Sequence, residues 1–165
     1  MQIGDHWGTI KEVFEAAYKS CYHFAVATVD EDGSPHVTPI GALILREDCT
    51  GFYFEENPKR MPHNLKRNPR VCILAVNADK LFWGKSLLEG KFATPPAVRL
   101  VGRAGELREA TADEIAAWQK RIAIAKSTKG YKLLWEKFAR VRDIKFDSFE
   151  PVYTGEMTSG LWQQH

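Results

Sequence analysis

Apolar residues recur at helical intervals near the start of the chain, where Trp7, Ile10, Val13, Phe14, Ala17 and Tyr18 are interleaved with Lys11, Glu12, Glu15 and Lys19. Steps of three and four residues predict an amphipathic helix over 6–20. From Tyr22 the period shortens. YHFAVATV and HVTPIGALIL are β-rich runs on either side of DEDGSP, so they predict a hairpin that turns around Asp32-Gly33 and Pro35. A second turn signal, REDCTG, precedes FYFEE, whose aromatic residues suit a third strand, and the three strands are expected in meander order. VCILAV at 71–76 is an almost unbroken apolar run of strand length, the pattern of a strand covered on both faces at the centre of a sheet.

Between these runs, Asn57-Pro58 offers an N-cap residue and a first-turn proline for a short helix, PKRMPHNLKRN, that stops before Pro69. Leu81, Phe82, Trp83, Leu87 and Leu88 predict a short apolar helix ended by Pro95-Pro96, and residues 79–96 read as an inserted lid or interface piece. Val98 to Leu107 alternates around Gly102 and Gly105, as a strand with a bulge or tight bend does. Thr111 and Glu114 form a capping-box signature before the helical stretch IAAWQKRIAIAK. TKGYKLLWEKFARV is a further helical stretch, and IKFDSFEPVYTGEM returns to strand texture. With no repeat, linker or composition break, the expected fold class is α+β. One domain over 1–165 would carry an antiparallel, barrel-like sheet with peripheral helices.

Composition narrows the function classes. At 165 residues with 44% hydrophobic and 27% charged residues, the chain is neither disordered nor fibrous. Lys and Arg total 23 against 21 Asp and Glu, a net charge of +2 that gives no reason to expect nucleic acid or an acidic membrane as partner. The first twenty residues lack the pattern of a targeting segment, and no apolar run reaches the roughly 18 residues of a membrane span. Three cysteines without C-x-x-C spacing signal neither a disulfide framework nor a zinc site, so a cytoplasmic location is expected.

The charge is unevenly placed. Lys59, Arg60, His63, Lys66, Arg67 and Arg70 occur with no acid between Asn57 and Ala78. Lys59 and Arg60 fall at a predicted helix start, where free N–H groups and the helix dipole also favour an anion, so this is a candidate phosphate site. The alternative is a solvated basic helix face. His23 with Cys21 and His63 with Cys72 lack the four-ligand spacing of a metal site. No G-x-S-x-G elbow, G-x-G-x-x-G turn or Walker-type phosphate loop occurs. No catalytic residue is assigned.

Taken in order, FAVATVDEDGSPHVTPIGALI and GFYFEENPKRMPHNLKRNPRVCILAV resemble the pyridoxamine 5'-phosphate oxidase-like family, the FMN-binding split barrels. The resemblance covers 22–76, and its most specific parts are G-x-P-H-V-x-P and the basic helix running into N-P-R-V. It implies a homodimer with FMN at the subunit interface and an oxidoreductase acting on a small substrate. By the same resemblance Lys59 and Arg60 hold the phosphate, supported by Asn64. Thr38, Pro39 and Ile40 line the ring through their backbone, with Phe54 and Glu55 at the neighbouring strand end. Trp162 is a candidate cap on the flavin of the opposite subunit, and Trp83 a candidate lid. One departure is Met61, where the pattern often carries a lysine. The arginine-rich tail of the pyridoxamine 5'-phosphate enzyme itself is absent, since the chain ends TSGLWQQH. Two alternatives stay open. One is a haem or deazaflavin ligand on the same fold, with His36, His63 or His165 as haem ligand, and the other is a cofactor-free protein that binds anionic partners through the basic helix.

Overall fold

A computed structural model describes residues 1–162; His165, one of the candidate haem ligands, lies outside them. The first helix, α1 (Trp7–Cys21), buries Trp7, Ile10, Val13, Phe14, Ala17 and Tyr18, the stripe that the spacing requires. It ends where Tyr22 takes a left-handed conformation and its N–H closes on the Tyr18 carbonyl at 2.8 Å.

Seven strands follow: β1 (Phe24–Val29), β2 (Pro35–Ile40), β3 (Leu43–Leu45), β4 (Thr50–Phe54), β5 (Arg70–Val76), β6 (Ala97–Glu109) and β7 (Arg140–Pro151). They form one antiparallel sheet in the order β2-β1-β5-β6-β7-β4-β3. The two outermost strands, β2 and β3, are neighbours in sequence, joined only through Gly41 and Ala42. The sheet must therefore curl until its edges meet at that corner, which makes it a barrel split between β2 and β3. This corrects the expected meander, because HVTPIGALIL is not one strand. It breaks at Gly41, where a Cβ would lie 2.7 Å from the Tyr22 carbonyl oxygen.

The long β6–β7 pair supplies the curvature, with register shifts between Val101 and Gly102 and between Ala104 and Leu107. Gly102 permits the first, since a Cβ there would come within 2.3 Å of the Lys145 carbonyl oxygen. The expected strand over 144–157 begins earlier, at Arg140, and stops at Pro151 before a tail of turns. On β5, Val71, Ile73 and Ala75 are buried while Cys72 and Leu74 are half-buried, so the outer face of this run is less covered than its apolar texture predicts.

Inside the curl, α1 packs on Phe24, Val26, Val71, Ile73, Leu100, Ile144 and Phe146. The same interior holds an ion pair: Arg142 donates to both oxygens of Glu55 at 2.7 and 2.5 Å and to the Gly105 carbonyl at 2.7 Å, while the Tyr53 hydroxyl also donates to Glu55. Burial first, and the Glu55 carboxylate second, push the Tyr53 phenol far above its ordinary pKa. At the split, the free edge of β3 is met by side chains, with Arg121 donating to the Leu43 carbonyl at 2.6 Å and the Trp7 indole to the Arg46 carbonyl at 2.7 Å.

Four more helices surround the sheet: α2 (Arg60–Arg67), which lends Met61 and Leu65 to this core, α3 (Lys80–Glu89), α4 (Ala112–Arg121) and α5 (Lys129–Leu134). Phe52 and Phe54 alternate with the inward Tyr53 and so face the other side of the sheet, against Trp118, Ile122 and Phe138. Helix α4 opens on the expected capping box, Glu114 N–H to Thr111 Oγ1 at 3.2 Å and Thr111 N–H to Glu114 Oε2 at 2.9 Å. The same carboxylate accepts from Arg46 and Arg108, and both arginines also reach Asp143 on β7, all within 2.9 Å. This four-residue network fixes α4 to the sheet. The expected apolar helix near 81–88 is present as α3, with Leu81, Leu87 and Leu88 exposed. No described helix is long and apolar enough to cross a membrane.

Two measurements test these anchors. Glu55→Ala strands the Arg142 charge inside the barrel and should reduce unfolding stability by about 3–5 kcal/mol in a denaturant titration; a change under about 1 kcal/mol would contradict the buried pair. Arg108, ahead of the Thr111 backbone and Arg46, holds the Glu114 carboxyl down at about 2, below its ordinary 4.5. Its stabilisation is complete above pH 4.5 and disappears as pH falls towards 2, because the unfolded chain takes up the proton first. Glu114→Gln retains a capping side chain and should flatten the dependence of melting temperature on pH across that window.

Candidate functional site

The helix α4 network and the split at Gly41 together leave a cleft of about 340 Å³ on the outside of the barrel. One wall is the end of β2 and the corner after it, Thr38, Pro39, Ile40, Gly41 and Ala42. The opposite wall is Phe54 with Trp118, Trp135 and Phe138, and Tyr18, Tyr22, Asn57 and Pro58 complete the lining. Aromatic contacts organise that wall: Phe54 stacks on Phe138 at 5.3 Å, and Trp118 meets Phe138 at 5.9 Å and Trp135 at 6.0 Å. No lining residue is charged. The Trp118 indole N–H is buried without an acceptor in the described structure, a donor left over in a wall that is otherwise apolar. Strand β2 pairs only with β1 and Pro39 can donate no N–H, so the edge of β2 offers the cleft mainly carbonyl groups.

Of the nine residues singled out in the sequence, four line this cleft: Thr38, Pro39, Ile40 and Phe54. Lys59 follows Pro58 at its rim and is exposed, with no ion pair among the described residues. The helix α2 starts at Arg60, so Lys59 rather than Asn57 occupies its N-cap position, without a side-chain cap. Glu55 does not reach the cleft; its carboxylate points into the barrel to Arg142 and its N–H bonds the Arg140 carbonyl at 3.1 Å. Trp162 lies in the interior against His6 and Phe149 at ring distances of 6.0 and 5.2 Å, in its own chain. Trp83 packs on Phe92 and donates to the Asn77 carbonyl at 2.6 Å, away from the cleft lining.

The basic helix is less free than its sequence suggests. The β1–β2 turn lays Asp30 and Glu31 against it: Asp30 takes the Nε and Nη2 edge of Arg60 at 3.2 and 2.7 Å, and Glu31 pairs with His63 and Arg67. The His63 side chain first, and Arg67 second, lower the Glu31 pKa. Asn64 is buried and donates to Thr28 Oγ1 at 3.1 Å and Asp30 Oδ1 at 2.7 Å, so it holds the turn on the helix. Met61, at the position of departure, is fully buried in the core. His36 is half-buried on β2 with its Nδ1 3.4 Å from Thr38 Oγ1. No group of three or more potential metal ligands exists among the described residues.

Another part of the surface carries a run of small and apolar side chains. On the outer face of β2, β1, β5 and β6, register places Val37, Ala27, Cys72 and Val101 in one row and Pro39, Ala25, Leu74 and Arg99 in the next. Pro39 belongs both to this face and to the cleft. A wider depression of about 1310 Å³ lies between the first residues and 153–162, lined by Met1, Asp5, Tyr153 and Glu156 among others, and its described lining carries no lysine or arginine.

Several cleft residues are not visible in the sequence pattern. Tyr22, Gly41, Trp118, Trp135 and Phe138 come together only through the fold; the one local signal was the glycine that interrupts HVTPIGALIL.

The structure resembles that of an FMN-binding protein from Syntrophomonas wolfei subsp. wolfei at a TM-score of 0.61, with 14% identity over 90% of this chain and 88% of that one. HupZ from Group A Streptococcus aligns at 0.58, with 20% identity over 93% and 98% of the two chains. A protein described as an F420 reductase aligns at 0.54, with 14% identity over 83% and 95%. At these identities the likeness is one of fold. Comparison with curated protein sequences returns no match. The sequence does match the family model described as pyridoxamine 5'-phosphate oxidase, over residues 10–145. That span takes in most of α1, the walls of the cleft and the basic helix, and the protein belongs to the pyridoxamine 5'-phosphate oxidase family.

Proposed function

We propose that this protein binds FMN, with the isoalloxazine ring in the aromatic cleft and the phosphate at Lys59 and Arg60, and that it acts as an oxidoreductase on a small substrate. The cleft carries this reading: a slot of about 340 Å³ with aromatic walls, no charged lining residue, a spare indole donor at Trp118 and a lysine at its rim. A flavin ring needs flat apolar walls and a few hydrogen bonds to its polar edge, and its phosphate needs cations. The residues present fit those needs. Thr38, Pro39 and Ile40 would border the ring and Phe54 would back it. Lys59 would meet the phosphate, and Arg60 would add the guanidinium edge that Asp30 leaves open, held in place by that carboxylate. Asn64 would act through Asp30, by fixing the turn that orients Arg60. Glu55 would act only by packing behind the cleft wall, through its pair with Arg142, and Trp162 would meet a ring only from the opposite subunit.

When bound, flavin supplies the electron transfer, so the chain needs no nucleophile or acid–base pair. Its walls would exclude water and orient the ring. The family membership and the fold likeness to an FMN-binding protein support this reading. Deazaflavin shares the flat ring and the phosphate, and is an outcome of the same titration. The haem alternative draws no support from the described histidines, since His63 is paired with Glu31 and His36 sits beside Thr38. Nor does the basic helix favour an anionic macromolecule, since the acids of the β1–β2 turn answer much of its charge.

The apolar rows on β2, β1, β5 and β6 would form the contact between two copies, and because Pro39 borders both, each cleft would open beside the partner. A patch of this kind on a monomer would be left in water.

Charge-assisted phosphate contacts contribute about 1.5–3 kcal/mol each, so Lys59→Ala with Arg60→Ala should weaken FMN binding by roughly a hundredfold or more in a fluorescence titration. Unchanged affinity would remove the phosphate assignment. Light scattering should give a mass near twice 18.7 kDa. Leu74→Glu, which places a charge in the middle of the apolar rows, should return a monomer with the same far-ultraviolet circular dichroism.

A further inference from the structure

Tyr22 is one of two non-glycine residues with positive φ among the described residues, at φ 62° and ψ 13°. As the cap of α1 it needs only its N–H, which reaches the Tyr18 carbonyl at 2.8 Å, and glycine or asparagine would serve there with less strain. Burial does not repay the strain, since the side chain is 70% exposed. A bulky residue held in an unfavourable backbone region with its ring in solvent points to a task outside folding.

The surroundings fix where the ring stands. The Tyr22 carbonyl presses on the corner at Gly41, so the backbone cannot relax without moving the segment that forms the cleft wall. Behind the ring stands Tyr18, edge-on at 5.7 Å and 83°. Behind Tyr18 the Arg121 guanidinium lies 4.3 Å from the ring centroid, and Arg121 is itself anchored by the Leu43 carbonyl and Glu15, each at 2.6 Å. The column Arg121, Tyr18, Tyr22 thus runs from α4 through α1 to the rim of the cleft, beside Thr38, Pro39 and Ile40.

We propose that Tyr22 is a binding residue of the cleft, whose phenol ring stacks on the flat conjugated ring system bound there. This rests on the flavin reading above. Stacking on a pre-positioned aromatic requires little further ordering of the side chain, which is why the strain would be retained. A phenol in contact with a flavin also quenches its fluorescence by electron donation, which gives a readout separate from affinity.

The test compares wild type with Tyr22→Gly, Tyr22→Asn and Tyr22→Phe, using thermal denaturation without ligand and titration with FMN followed by flavin fluorescence. Glycine and asparagine should melt at or above the wild-type temperature, bind FMN roughly 3–10-fold more weakly and leave the bound flavin brighter. Phenylalanine should keep the affinity within about twofold while also brightening the flavin, because a phenyl ring stacks but is a poorer electron donor. FMN bound by wild type but held equally well and equally quenched by the glycine and asparagine variants would overturn the role of Tyr22 and leave the flavin reading standing. Lower melting temperatures in both would overturn it too, since the ring would then be needed for the fold. Absence of FMN binding by wild type would overturn both readings together.

Discussion

Two edge strands of one sheet, consecutive in the chain and joined by only two residues, can be reconciled only if the sheet bends round on itself. That constraint sits at Gly41, where the Tyr22 carbonyl lies too close for any side chain. The split it creates between β2 and β3 gives α1 a seam to fill, leaves the edge of β2 unpaired and sets the wall of the cleft. A larger residue at 41 would have to push back the end of α1 or the start of β3, and both carry residues of the core. Helix α4 completes the arrangement from the other side, tied down by a carboxylate that caps its own helix and binds two arginines at once.

Much of this architecture was legible because its causes are local. The stripe from Trp7 to Tyr18 and the Thr111–Glu114 capping box each depend on residues a few positions apart, and each lies where the pattern puts it. The break in HVTPIGALIL was not legible, since a glycine within an apolar run looks the same whether the strand continues or turns away. What decides is the Tyr22 carbonyl, which belongs to another element. The site divides in the same way. Thr38, Pro39, Ile40 and Phe54 follow from the family resemblance, which rests on contiguous motifs, whereas Trp118, Trp135 and Phe138 arrive through long-range packing. Glu55 looked like a strand-end residue, and its partner Arg142 is 87 positions away.

Electrostatics show the same limit. Between Asn57 and Ala78 the chain carries no acid, and a linear reading counts six uncompensated basic residues. Folding brings the β1–β2 turn across them, so that Arg60, His63 and Arg67 are engaged while Lys59 has no ion pair among the described residues. The acids sharpen the site more than they diminish it. They fix the orientation of Arg60 and weaken the general attraction for polyanions that six free cations would create.

The seam of the barrel has a further consequence. An open sheet edge invites another extended chain to add to it, and this molecule has two such edges side by side. On β2, Pro35 and Pro39 withhold two of the donors that an incoming strand would need; on β3, Arg121 already occupies the carbonyl of Leu43. Both edges of the gap therefore present fewer free groups to a polypeptide than a bare strand would. An edge short of donors and acceptors is a poorer template for the strand exchange that turns a crowded population of β-proteins into fibres.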